Sequence, residues 1–249
     1  MEVLGYSERG LINSLFYELQ YSEKNLEKLS KLLTLANFPH KVDKREKLIF
    51  NISSAKVLIE QSFSQFGDAD IVLLIENKTR KQIVFIEAKV KTCQRNCWET
   101  VKEFNKFKQL IKRNGVVSSN LFIQLFLKVE LIKALKSEDI GKLQQGIDFP
   151  SFSKRNPRKI GKNKVVLEAV NECKHYCKEP FFIALLPEKE GKLEKFYNDN
   201  LKNCNSQEFF GWDIKELGFI SWEQIENFCN TNNFKNTLSC FKWNKRQIY

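Results

Sequence analysis

Residues 67–90 read GDADIVLLIENKTRKQIVFIEAKV. Two apolar runs, IVLLI and QIVFI, flank the polar stretch ENKTRK, a pattern that predicts two strands joined by a turn into an antiparallel hairpin. With the turn centred between Lys78 and Thr79, Asp70 falls opposite Glu87, and opposed residues in a ladder hold their Cβ atoms roughly 5 Å apart. Side chains alternate along a strand, so Lys89 joins the two carboxylates on one face while Ala88 points away. Val72, Leu74, Ile83 and Phe85 share that charged face, and Ile71, Leu73, Ile75, Val84 and Ile86 occupy the other. Strands apolar on both faces are covered by helices on both faces. The expectation is therefore an α/β fold with three charges at the edge of a buried sheet.

Two carboxylates directly opposed repel, the more so where water is scarce. A bound cation, a shared proton or the Lys89 ammonium has to offset them. A hard divalent ion takes oxygen ligands from one or two carboxylates, keeps several waters and leaves room for a phosphate. The plainer alternative is that Asp70 ends a strand beside a turn and that Glu87 and Lys89 form an exposed polar end.

Asp70 followed by the tripeptide Glu87-Ala88-Lys89 on the next strand resembles the core of the PD-(D/E)XK nucleases, the restriction-endonuclease-like superfamily. The likeness covers roughly the N-terminal half of the chain, and Ala69 stands where the family name has proline. The resemblance implies a central mixed β-sheet flanked by helices on both faces, and a metal-dependent nuclease that hydrolyses phosphodiester bonds, a DNA endonuclease first of all. It further implies Mg²⁺, with Mn²⁺ as substitute, held by Asp70, Glu87 and the backbone carbonyl of Ala88, and Lys89 as the residue that orients or deprotonates water or neutralises charge on the phosphorane. Relatives often add a glutamate from the first helix. Glu8 lies near the centre of the apolar stripe formed by Leu11, Ile12, Leu15 and Leu19, Glu18 lies at its margin, and Glu60 on the preceding strand is a further rival. A binding module on the same fold that has lost its chemistry is the alternative function, although the triad here is complete.

The chain has 249 residues and a net charge of +11. Residues 1–90 carry 13 basic and 12 acidic side chains, so nearly all the surplus follows the hairpin. One concentration is Lys91, Arg95, Lys102, Lys106, Lys108, Lys112 and Arg113 against Glu99 and Glu103. The other is SKRNPRKIGKNK, residues 153–164, which has no acid. Such runs suit phosphate contacts, and Lys91, Lys154, Arg155, Arg158, Lys159 and Lys162 are the expected nucleic-acid-binding residues. Double-stranded DNA is the expected partner, with a homodimer open and no membrane: MEVLGYSERG lacks the basic and apolar regions of a signal peptide, and runs such as LFIQLFL are too short to span a bilayer. A cytoplasmic location is expected. The seven cysteines then read as reduced thiols. In NECKHYC a helix would turn His175 away from Cys173 and Cys177, which argues against zinc.

Helix is predicted over residues 7–33, broken near Tyr21-Ser22 and with Ser7 as N-cap, and again over 98–114 and 162–177. Strands are predicted at 56–63, 120–129 (NLFIQLFLKV) and 181–187. The chain reads as a single domain, with a core over about 1–190 and a helical or irregular elaboration over about 191–249 in which Trp212 and Trp222 are core residues.

Overall fold

A computed structural model of the chain describes residues 3–91, 98–113, 120–137, 139–148 and 157–248. Strand β1 (Ser54–Ser62) leads into the hairpin of β2 (Asp68–Glu76) and β3 (Lys81–Ala88). The β2–β3 ladder runs from Ile71 opposite Ile86 to Glu76 opposite Lys81. This is the register in which Asp70 faces Glu87, one step past the last ladder pair. Asn77 shapes the turn, its Oδ1 accepting from the Thr79 and Arg80 N–H groups at 3.0 and 2.9 Å. Antiparallel β1 lies on one side of the hairpin. On the other, β4 (Phe181–Leu186) and β5 (Gly218–Ser221) add in parallel, giving a five-stranded mixed sheet in the order β1-β2-β3-β4-β5.

Helices cover both faces. In chain order the α-helices among the described residues are α1 (Ser7–Tyr21), α2 (Asn25–Thr34), the short α3 (Val42–Lys47), α4 (Thr100–Arg113), α5 (Leu121–Ser137), α6 (Ile140–Gln145), α7 (Lys164–Lys174), α8 (Glu190–Phe196), α9 (Trp222–Asn232), α10 (Lys235–Trp243) and the short α11 (Lys245–Ile248). Val72, Leu74, Ile83 and Phe85 pack with α4, α5, α7 and α8. Ile71, Leu73, Ile75, Val84 and Ile86 pack with α1, α2, α9 and α10. The alternation in the sequence thus separates two cores, one on each side of the sheet.

The segment expected as a strand at 120–129 is instead the start of α5. Thirteen of the helix's 17 residues are buried, on every side. A helix enclosed all round has no polar face, so its sequence loses the 3.6-residue period that would distinguish it from a buried strand. Its start is nevertheless marked: Asn120 Oδ1 accepts from the N–H groups of Phe122 and Ile123 at 3.0 and 3.2 Å, as an N-cap does. Two further expectations change. Ser7 is the first helical residue, with Tyr6 as the cap, and its N–H donates to Asn244 Oδ1 at 2.8 Å. Residues 191–249 also supply β5 and the helices α9 and α10 of the second core, so the sheet is completed from the segment expected to be peripheral. Trp212 and Trp222 are both buried. Among the described residues no helix is long and apolar enough to cross a membrane.

A 3₁₀ turn, Ser64–Phe66, and Gly67 carry the chain from β1 into β2. Gly67 has φ +76° and ψ 166°, a region only glycine adopts without strain. A Cβ there would also lie 3.3 Å from Lys128 Nζ. Gly67→Ala should therefore cost about 1–3 kcal/mol in urea unfolding, whereas a midpoint equal to that of the native chain would show that the turn relaxes freely.

Candidate active site

The β2–β3 backbone ladder stops at Ile71–Ile86, and side chains take over beyond it. Asp70 Oδ2 accepts the Ala88 N–H at 2.7 Å, and the next amide, that of Lys89, donates to the Leu185 carbonyl of β4 at 2.9 Å. In extended backbone the N–H and C=O of one residue point to the same side. The Ala88 carbonyl is thus directed towards β2, where the Asp70 carboxylate stands.

Glu87 is 2% exposed, and its Oε1 accepts from Lys89 Nζ at 2.8 Å. Burial pushes the Glu87 carboxyl up to about 7, against the pull of the Lys89 ammonium and with a further push from Asp70. Burial works to lower Lys89, but attraction from Glu87 and Asp70, with Glu8 adding to it, holds the ammonium above its ordinary value. The expected juxtaposition of Asp70, Glu87 and Lys89 is present. The repulsion between the carboxylates is relieved by a backbone amide for one and an ammonium for the other.

Sequence reasoning missed a fourth charge. Lys128 of α5 is 1% exposed and donates to the Phe66 carbonyl at 2.9 Å. Burial draws its ammonium down to about 8, opposed by Glu87, Asp68 and Asp70. The signal was a lysine inside LFIQLFLKVELI, but a strand assignment gave no reason to send it to the hairpin.

The three glutamates weighed as a further ligand separate. Glu8, in the first turn of α1, accepts from the Ser7 hydroxyl and is the one that acts electrostatically on Lys89. Glu18 is committed elsewhere: it caps α10, accepting from the N–H groups of Asn236 and Thr237 at 3.0 and 2.9 Å and from the Thr237 hydroxyl at 2.7 Å. Glu60 sits across from Asp70 with φ +51°, outside the ladder pairs of β1 and β2, and pairs with Arg9 at 3.7 Å in the open.

The basic residues divide in the same way. Lys154 and Arg155 lie outside the described residues. Arg158 is partly buried and donates to the Gln65 carbonyl, so it serves the turn before β2. The Lys159 N–H donates to Gln65 Oε1 and the Gly161 N–H to Ser64 Oγ, at 2.9 and 2.8 Å. The exposed Lys159 and Lys162 are thereby brought to the end of the sheet that carries Asp70. Lys91 borders a cavity of about 220 Å³ with Lys189, Lys192, Glu188 and Trp222. That cavity lies just past β3, because Trp222 Nε1 donates to the Lys89 carbonyl at 2.9 Å. On α7 and just beyond, Cys173 and Cys177 are buried, and burial pushes both thiols up, Cys177 to about 11. Such thiols resist becoming the thiolates that bind zinc.

Comparison with known proteins returns no matching family model, no matching curated protein and no matching solved structure. The chemistry therefore rests on the residues themselves. Among the described residues no group of three or more His, Cys, Asp or Glu side chains is placed to hold a metal ion. A hard ion that keeps most of its water needs fewer: Asp70 Oδ1, Glu87 Oε2 and the Ala88 carbonyl are oxygens outside the bonds just described, and they suit magnesium better than a softer metal.

The raised Glu87 carboxyl has a consequence for stability. Folding favours its protonated form, so the associated stabilisation is complete below pH 4.5, the ordinary value, and is lost as pH rises through about 7. At about 1.4 kcal/mol per pH unit the loss is on the order of 3 kcal/mol. In EDTA, the melting temperature of Glu87→Gln relative to the native chain should be higher at pH 8 than at pH 5. A constant difference would place the Glu87 carboxyl in its ordinary range.

Proposed function

We propose that this chain is a metal-dependent nuclease, a phosphodiesterase of the PD-(D/E)XK type acting on DNA from a restriction-endonuclease-like core. The observation that carries the reading is the placement of Asp70 against the Ala88 amide beside a buried Glu87–Lys89 pair, at the end of a strand that is apolar on both faces. A purely structural role leaves unexplained why four charged side chains converge where apolar residues would pack without desolvation cost.

Asp70 and Glu87 would hold the ion, with the Ala88 carbonyl as a third oxygen and Glu8 available from the same end on α1. When bound, magnesium supplies a water of lowered pKa and stabilises charge on the phosphate. Lys89, its side chain 14% exposed, is the group that can move from Glu87 towards the substrate, to hold the attacking water or neutralise charge that develops on the reacting phosphate. Lys159 and Lys162 on one side and Lys91 on the other offer contacts for the strand backbone.

The test is incubation of the purified protein with supercoiled, linear and single-stranded DNA and with RNA, in Mg²⁺, Mn²⁺ or EDTA. Asp70→Ala and Glu87→Ala should abolish cation-dependent cleavage, and undiminished cleavage by either would remove the assignment. Lys89→Ala should reduce turnover on the order of 10²–10⁴-fold while binding changes far less. Equal losses in the two would make Lys89 a simple phosphate contact. A folded native chain that binds DNA and cleaves none of these substrates is the result expected of the alternative, a binding module that has lost its chemistry.

The basic rim has its own measurement. Lys159→Ser and Lys162→Ser should weaken binding equally across sequences, and each should lower the slope of log K against log[salt] by roughly 0.9 for every phosphate no longer neutralised. Unchanged slopes would move the nucleic-acid path to α4, with its Lys102, Lys106, Lys108 and Lys112.

A further inference from the structure

Lys128 stands apart from the residues that the proposed chemistry uses. It is carried by α5, buried on every side, and its ammonium reaches the Phe66 carbonyl immediately before Gly67 and β2. Phe63 lies beneath it, with Nζ 6.0 Å from the ring centroid, and Gly67 is so close that only a residue without a Cβ leaves the ammonium its present room. From there Lys128 attracts Glu87, Asp68 and Asp70 and repels Lys89. A neutral donor would satisfy the Phe66 carbonyl as well, and at far lower desolvation cost than a charge sealed among phenylalanines. The charge therefore calls for a role beyond the hydrogen bond.

We propose that Lys128 is a positioning residue that sets the divalent-cation affinity of the Asp70–Glu87 site, holding it low until an anionic phosphate joins. The inference rests on the metal-dependent reading given above. Without a cation, and with Glu87 ionised above about pH 7, the ammoniums of Lys89 and Lys128 oppose the negative charge of the two carboxylates. Lys89 is partly exposed and can move aside when a cation enters; Lys128 is enclosed and cannot. Its charge then remains behind the ion as a like-charge neighbour, and low dielectric strengthens the repulsion. A phosphate arriving at the front restores the balance. Cation binding and nucleic-acid binding are thereby coupled, and by linkage each strengthens the other by the same factor.

The experiment is a calorimetric titration of Mn²⁺ into the full chain without nucleic acid. Lys128→Gln removes the charge and keeps a donor for the Phe66 carbonyl, Lys128→Met removes both, and Lys128→Arg keeps both. Lys128→Gln should bind Mn²⁺ at least roughly tenfold more tightly than the native chain, the scale expected when a like charge is removed from a partly screened site. Lys128→Met should follow it, and Lys128→Arg should stay near the native affinity. Native affinity in a folded Lys128→Gln would show the residue to be only a clamp on the turn and would overturn the proposal. So would weaker binding, or failure of both neutral variants to fold, since either makes the ammonium a structural requirement. Asp70→Ala is the separate control. If the native chain binds Mn²⁺ and Asp70→Ala binds it equally, the site reading itself fails, whatever the Lys128 variants do.

Discussion

The cost of holding charge in an apolar interior governs the arrangement of this molecule. A sheet apolar on both faces offers water nowhere along its length except at its ends, so a carboxylate on β2 or β3 must find protein partners. Asp70 finds the Ala88 amide, Glu87 finds Lys89, and Lys128 closes the group from the helix layer that covers that same face. Each partner comes from a different constraint: strand register for the first, side-chain alternation for the second, helix packing for the third. A buried ion pair is not in itself a source of stability, because desolvation can exceed the attraction between its members. Burial pushes the Glu87 carboxyl up even with an ammonium 2.8 Å away, the direction that such a desolvation cost works in.

The short turn Ser64–Phe66 connects this cluster to the outer layer. Its three residues bond to three separate places: Ser64 Oγ to the Gly161 amide, Gln65 to Arg158 and Lys159, and the Phe66 carbonyl to Lys128. The turn leads directly through Gly67 into Asp68 and Asp70. The described part of the basic loop and the buried lysine of α5 are therefore fastened to the segment that delivers the site's first carboxylate. Arg158 is used up in this fastening. Among the described residues of the loop, Lys159, Lys162 and Lys164 are the basic side chains that stay exposed.

The hairpin, its register and its two apolar faces were legible in the sequence because a strand's period of two leaves no freedom once the turn is located: IVLLI and QIVFI fix which side chains meet. The triad followed from the same arithmetic. The helix α5 was not legible, since a segment buried on all sides carries no period to read, and with it Lys128 was lost. Glu18 illustrates a different limit. Its position on α1 was visible, but its use as a cap for α10 depends on a helix 218 residues further along the chain. Glu60 was placed correctly on β1, yet its left-handed backbone, which turns the side chain out to Arg9, has no signature in the sequence.

The position of the site within the sheet follows from the way the two ladders on β3 end. Its ladder with parallel β4 continues past Ala88, as the Lys89 amide still bonds to Leu185, whereas its ladder with antiparallel β2 ends two residues earlier. Over that offset β3 has a backbone partner on one side only. The unpaired Ala88 amide would be a buried donor without an acceptor, which costs more than the bond is worth when made. Asp70 supplies the acceptor by turning its own carboxylate into the place a β2 carbonyl would have taken. The same offset leaves the Ala88 carbonyl, like its amide, on the β2 side of β3 beyond the last ladder pair. The break in the β2–β3 ladder beside Asp70 and Ala88 thus arises from nothing more than two strands ending at different lengths.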